Sequence, residues 1–173
     1  RPMTLLWLLT AWTLAGPASR VDREAFLAWA DDPRPRADIR GTLDDGRRPA
    51  FLGLAESPTD ADVLARVSPG YRFAGSIFPR IADHVRSMPG KVRPERLGTS
   101  ALGRPIWAFH LQNPDEPITR KILVMAGLHA MEWIGTEVAV DLLDDLAEGP
   151  LPRGVQVTIV PIANPDGRDF TEY

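Results

Sequence analysis

The chain has 173 residues, 44% of them apolar, with 20 basic and 23 acidic side chains, a formal net charge of −3 and no cysteine. That supplies the apolar material for one ordinary domain with a buried core, which excludes disorder of the whole chain. The near-balanced charge removes the basic field that non-specific nucleic-acid binding needs, and the missing cysteines remove disulfides, thiolate metal sites and a cysteine nucleophile. Fourteen glycines and 17 prolines mark a loop-rich chain that stays well short of low complexity.

Pro2 to Ser19 carries no charge, and Leu5 to Ala15 is an 11-residue run of Leu, Trp, Thr and Ala. A run of that length suits the core of a secretory signal and is short for a membrane span. Gly16 and Ala18 supply the small residues for cleavage after Ala18. Residues 1–19 are therefore read as a signal peptide, with an uncleaved membrane anchor as the alternative. The protein is expected to be secreted or periplasmic, and to touch a membrane only if that segment stays attached.

Residues 20–62 read as a lead-in segment. It opens with an amphipathic helix over 20–30, with Val21, Ala25, Ala28 and Trp29 on one side. From Asp31 to Asp62 the chain is rich in Asp, Arg, Pro and Gly, and Phe51 to Leu54 is its one sizeable apolar patch. Thr59, with Asp62 three residues on, resembles a helix start.

Residues 63–173 alternate helix and strand signals. Ile77, Ile81 and Val85, with Phe78 and Ala82 beside them, form one helical face, ended by Met88-Pro89-Gly90. Val92 to Ser100 reads as a strand and turn, and Arg104 to Leu111 alternates like a second strand. Lys121 to Gly127 is a continuous apolar run of the kind expected of a strand buried on both faces. A helix over Glu132–Leu146 follows, with Ile134, Val138, Leu142 and Leu146 as its apolar face, Asp141, Asp144 and Asp145 mostly opposite, and Gly149-Pro150 as its end. Val155 to Ile162 is a second buried-type strand. Strand, helix and strand joined briefly imply a crossover between parallel neighbours.

Ligands in such sheets bind beyond the carboxyl ends of the strands, so the segments after Gly127 and after Ile162 are the ones to inspect. There His129 and Glu132 stand three apart at a helix start, where both side chains can face one point. An imidazole nitrogen and a carboxylate converging in this way make two ligands of a catalytic zinc. The pair alone also has a plain structural reading, with the histidine capping or packing and the glutamate favoured by the helix dipole. Asn164-Pro165-Asp166-Gly167, from the next strand, points to the same edge and has its own plain reading as a turn.

Gly-Leu-His129-Ala-Met-Glu132-Trp-Ile after an apolar strand resembles the first zinc-ligand motif of the zinc metallocarboxypeptidases of the carboxypeptidase A/B type. Val-Pro-Ile-Ala-Asn164-Pro165-Asp166-Gly167 is similar to the strand and loop that follow it in that family, and Leu97 to Ile106 to the hairpin that precedes it. The match runs from about Tyr71 to Tyr173. It implies an α/β fold with a mixed, largely parallel sheet flanked by helices, seen here for about four strands. It also implies one Zn2+ held by His129 and Glu132 as its first two ligands, and hydrolysis of peptide or protein C-termini. The family's second histidine ligand, its catalytic glutamate and its substrate-binding arginines lie further along than Tyr173, so no catalytic residue is assigned. The chain is accordingly expected to be an inactive fragment that binds zinc weakly and leaves apolar sheet edges exposed.

Met131 stands where the family often has Arg, and Arg168 where it usually has an aromatic residue. His84 and His110 match no family position and are assigned structural roles. The alternatives are a zinc amidohydrolase or deacylase of the same superfamily, and a non-catalytic binding protein on the same fold.

Overall fold

In a computed structural model that describes residues 20–32, 71–72 and 74–172, the strand and helix signals assemble into one four-stranded sheet with helices packed on it. The elements in chain order are α1 (Arg20–Ala30), α2 (Ala74–Ser87), β1 (Val92–Thr99), β2 (Pro105–Leu111), β3 (Arg120–Met125), α3 (Trp133–Glu148), β4 (Val155–Val160) and α4 (Pro165–Glu172). The leader at residues 1–19, the Phe51–Leu54 patch and the Thr59–Asp62 helix start lie outside the described residues.

The strand order is β1-β2-β4-β3. β1 and β2 form an antiparallel hairpin whose register shifts between Arg96 and Gly98, and β2 pairs antiparallel with β4. β3 and β4 are parallel, with Ile122 opposite Val157 and Val124 opposite Ile159, so α3 is the crossover that the apolar runs imply. The sheet is therefore mixed, and its parallel part among the described strands is this pair.

The α2 face falls where the spacing puts it: Ile77, Phe78, Ile81, Ala82 and Val85 are all buried. Three other expectations shift. Among the described side chains of α1, which do not include that of Val21, Phe26 is buried, while Ala25 and Ala28 are exposed and Leu27, Trp29 and Ala30 pack at the core margin. The segment read as a lead-in thus opens with an element of the core.

On α3 the buried positions are Trp133, Thr136, Glu137, Ala139, Val140, Leu143, Asp144 and Ala147, whereas Ile134 and Val138 are exposed. The face is turned because its polar members have partners. Thr136 Oγ1 donates to Pro161 O at 3.0 Å. Glu137 accepts the Arg72 backbone N–H at 2.7 Å and its guanidinium at 2.9 Å. Asp144 accepts Arg80 Nε at 2.6 Å and meets His84 Nε2 at 2.8 Å. Buried polar groups satisfied in this way cost little, and no hydrophobic period reports them.

β3 is the third difference. Its residues are largely exposed, Leu123 by 67% and Ile122 by 50%, because among the described strands it lies at the sheet edge. A continuous apolar run signals burial on both faces only where both faces are covered.

Candidate metal centre

The backbone at the carboxyl end of β3 turns sharply. Gly127 sits at φ +63°, where a Cβ would stand 3.0 Å from Ile162 Cα and from Thr136 Oγ1, so conformation and space both call for glycine. Past the strand ends the two chains remain paired: Ala163 N–H donates to Ala126 O and Asn164 N–H to Gly127 O, each at 2.9 Å. This pairing sets the second loop against the first. The Glu132 N–H then donates to His129 O at 3.2 Å, closing a tight turn directly before α3.

His129 and Glu132 come together at the tip of that turn, with Nδ1 and Oε2 3.0 Å apart and side chains 71% and 68% exposed. Glu132 occupies the N-cap position of α3 but makes no side-chain capping bond. Its carboxylate is directed at the histidine. The helix N-terminus still favours its negative charge.

Nitrogen and oxygen donors of these types are what zinc takes. Two donors at about 2.1 Å from one zinc in a tetrahedral arrangement stand about 3.4 Å apart, close to the separation of this pair. The pair fits two ligand positions. Among the described residues no third His, Asp or Glu joins them in a cluster able to hold a metal ion.

Asn164-Pro165-Asp166-Gly167 starts a helix, where a turn was the plain expectation. Asn164 Oδ1 accepts the Gly167 N–H at 2.9 Å and Pro165 is the first helical residue, the places these two residue types favour. Asn164 Nδ2 also donates to Leu128 O at 3.3 Å, reaching the turn that carries His129. Gly167 admits no side chain, since a Cβ there would stand 2.9 Å from Ala130 Cβ.

Asp166 binds the β1–β2 loop. It accepts Ser100 Oγ at 2.7 Å, the Leu102 N–H at 3.1 Å and Arg104 Nη1 at 2.9 Å. Desolvation pushes its pKa up and is the largest single influence, but the bonds from Ser100, Leu102 and Arg104 together outweigh it and leave the carboxyl below the ordinary aspartate value. A depressed folded pKa contributes stability that is complete above the unfolded value and is lost as pH falls through the folded one. Melts from pH 5 downward should therefore show stability falling as the pH drops below about 4. Asp166→Asn should flatten that acid limb, and an unchanged limb would show that other carboxyls set it.

His84 and His110 lie apart from the pair. His84 is buried on α2 against Asp144, and His110 on β2 bonds Thr158 Oγ1 at 2.9 Å and Glu95 Oε2 at 2.6 Å. Arg168, where an aromatic residue is usual in the resembled family, is buried, with its guanidinium carbon 4.0 Å from the Trp133 ring centroid and Nε 2.7 Å from Glu172 Oε1. Its contacts are not legible in the sequence, because Trp133 is distant and Glu172 becomes a neighbour only through the helix that begins at Pro165.

A family model described as zinc carboxypeptidase matches residues 80–173. The chain is 28% identical over 112 residues to the inactive metallocarboxypeptidase ECM14 of Saccharomyces cerevisiae, covering 58% of this chain and 26% of that one. It is 29% identical over 94 residues to carboxypeptidase A6 of Mus musculus, covering 50% and 22%. The structure of carboxypeptidase A from Helicoverpa armigera superposes with a TM-score of 0.51 at 21% identity, over 77% of this chain and 34% of that one, a likeness of fold. The chain thus spans about a quarter of the length of these curated relatives. With that family model matching more than half of its residues, the chain belongs to the zinc carboxypeptidase family.

Proposed function

We propose that His129 and Glu132 are zinc ligands of a peptidase site that acts at the C-terminus of peptides or proteins. The observation that carries this reading is the approach of His129 Nδ1 to Glu132 Oε2, 3.0 Å apart and open to solvent at the carboxyl end of β3, in a chain of this family. His129 offers a nitrogen and Glu132 an oxygen, and the exposed turn leaves a peptide free to approach both. When bound, zinc supplies Lewis-acid polarisation of the scissile carbonyl. Export through the leader at residues 1–19 belongs to the same proposal and is supported by its uncharged apolar core. No helix among the described residues is long and apolar enough to cross a membrane.

Zinc titration of the 173-residue chain against a competing chelator tests the ligand assignment. His129→Ala and Glu132→Gln should each weaken binding by at least about tenfold, since even residues that only support a ligand typically cost 10–100-fold. Parent-like affinity in both variants would refute it.

A non-catalytic role on the same fold is the second reading. It is favoured by the inactive relative at 28% identity. Under that reading peptide binding would persist in His129→Ala.

A further inference from the structure

The side chains of His129 and Glu132 have each other as their hydrogen-bond partner, and both project into solvent. Metal-binding histidines ordinarily have the second ring nitrogen fixed by a carboxylate or carbonyl. No described residue does that for His129. Support for the pair beyond this mutual bond therefore comes through residues 128–133, which carry the two side chains.

One buried oxygen is placed to do so. Thr171, on α4 and 4% exposed, accepts the Trp133 indole N–H at 2.9 Å. Its single hydroxyl proton has two carbonyls in reach, Ala130 O at 2.9 Å and Arg168 O at 3.0 Å. The second is the ordinary back-bond of a threonine within its own helix, and the first crosses 41 residues of sequence to the ligand turn. Ala130 lies between the two ligands and Trp133 follows the second, so one oxygen meets the backbone before Glu132 and the indole of the residue after it. Arg168 stacked on the Trp133 ring, and the close fit of Gly167 against Ala130, seat the same turn on the same helix.

We propose that Thr171 is a positioning residue for the metal pair: through Ala130 O and the Trp133 indole, its hydroxyl fixes the turn that holds His129 and Glu132 at chelating distance. The inference rests on the zinc reading above. It gives α4 a purpose beyond packing, since α4 carries the brace while its cap, Asn164, holds the turn at Leu128.

The test compares Thr171→Val, which keeps the shape and removes the hydroxyl, with Thr171→Ser, which keeps the hydroxyl. Zinc affinity of the full chain is measured by chelator competition and referred to the folded fraction, with His129→Ala as the reference for no site. Thr171→Val should lose about 10–100-fold in affinity, the usual cost of removing a supporting partner, and Thr171→Ser should stay within about threefold of the parent. Amide exchange at Glu132 in the metal-free chain should rise in Thr171→Val and not in Thr171→Ser.

Parent-like zinc affinity in folded Thr171→Val would overturn the proposal, even if its melting temperature fell. If the parent binds zinc no better than His129→Ala, the zinc reading fails and the inference falls with it. Should Thr171→Val fail to fold, Trp133→Phe removes the indole bond and keeps a smaller aromatic ring beside Arg168. It should cost several-fold in affinity, and a parent-like value there would also overturn the proposal.

Discussion

Phe26→Ala is expected to destabilise the chain by about 3–5 kcal/mol, the range for deleting a fully buried aromatic side chain. Phe26 is completely buried although it lies on an 11-residue helix that is otherwise largely at the margin of the core. Its ring meets Trp107 edge-on at 5.2 Å and Phe109 at 5.0 Å, both on β2, while the neighbouring Trp29 meets Phe78 of α2 at 4.7 Å. These are the favoured edge-to-face arrangements, worth something beyond the buried area. An alanine there leaves a cavity bounded by a strand and two helices, and rigid rings close such a space poorly. Urea denaturation followed by tryptophan fluorescence measures the loss. A change below about 1 kcal/mol would mean that α1 does not share the cooperative unit of the sheet.

Phe26 also marks the boundary between what the chain discloses by pattern and what it does not. Ile77, Ile81 and Val85 were legible because a purely apolar stripe has one place to go. The hairpin, β3, β4 and their crossover were legible because short apolar runs and Gly-Pro punctuation fix where elements start and stop. The faces of α1 and α3 were not. On α1 two alanines competed with one phenylalanine in the pattern, and volume decides that contest in the core. On α3 the buried side holds Thr136, Glu137 and Asp144, whose partners come from Pro161, Arg72, Arg80 and His84, distant in sequence.

The candidate site divides in the same way. His129 and Glu132 could be found because their spacing falls at a strand-to-helix joint. Thr171 could not, because its partners at Ala130 and Trp133 become neighbours only once Asn164 starts a helix. The signal available was that Asn-Pro is a good helix start as well as a turn, and a threonine six residues after Pro165 would then lie on the second turn of that helix.

Arg104→Met should cost a similar amount, about 3–5 kcal/mol, the usual result of stranding the partners of a buried ion pair. Arg104 closes the β1–β2 loop, where its N–H donates to Ser100 Oγ at 2.9 Å, and its guanidinium is mostly buried between two carboxylates of α4. Nε donates to Asp169 Oδ2 at 2.5 Å and Nη1 to Asp166 Oδ1 at 2.9 Å. Methionine keeps much of the stem's packing and removes the charge, leaving both carboxylates without that partner in a poorly solvated place. Most of the loss should therefore come from the two carboxylates' loss of this cation, which a second substitution can test. Asp169→Asn in the Arg104→Met background should recover part of the stability, although the same change in the parent chain should destabilise it. Acid should act likewise, because Arg104 is one of the groups that hold the Asp166 carboxyl below its ordinary value, so the gap between parent and Arg104→Met should narrow as pH falls. A gap that stays constant with pH, together with no recovery in the double variant, would show that Arg104 contributes by packing alone. Because α4 also carries Thr171, Arg104→Met should loosen the ligand turn as well, and amide exchange at Glu132 should rise with it.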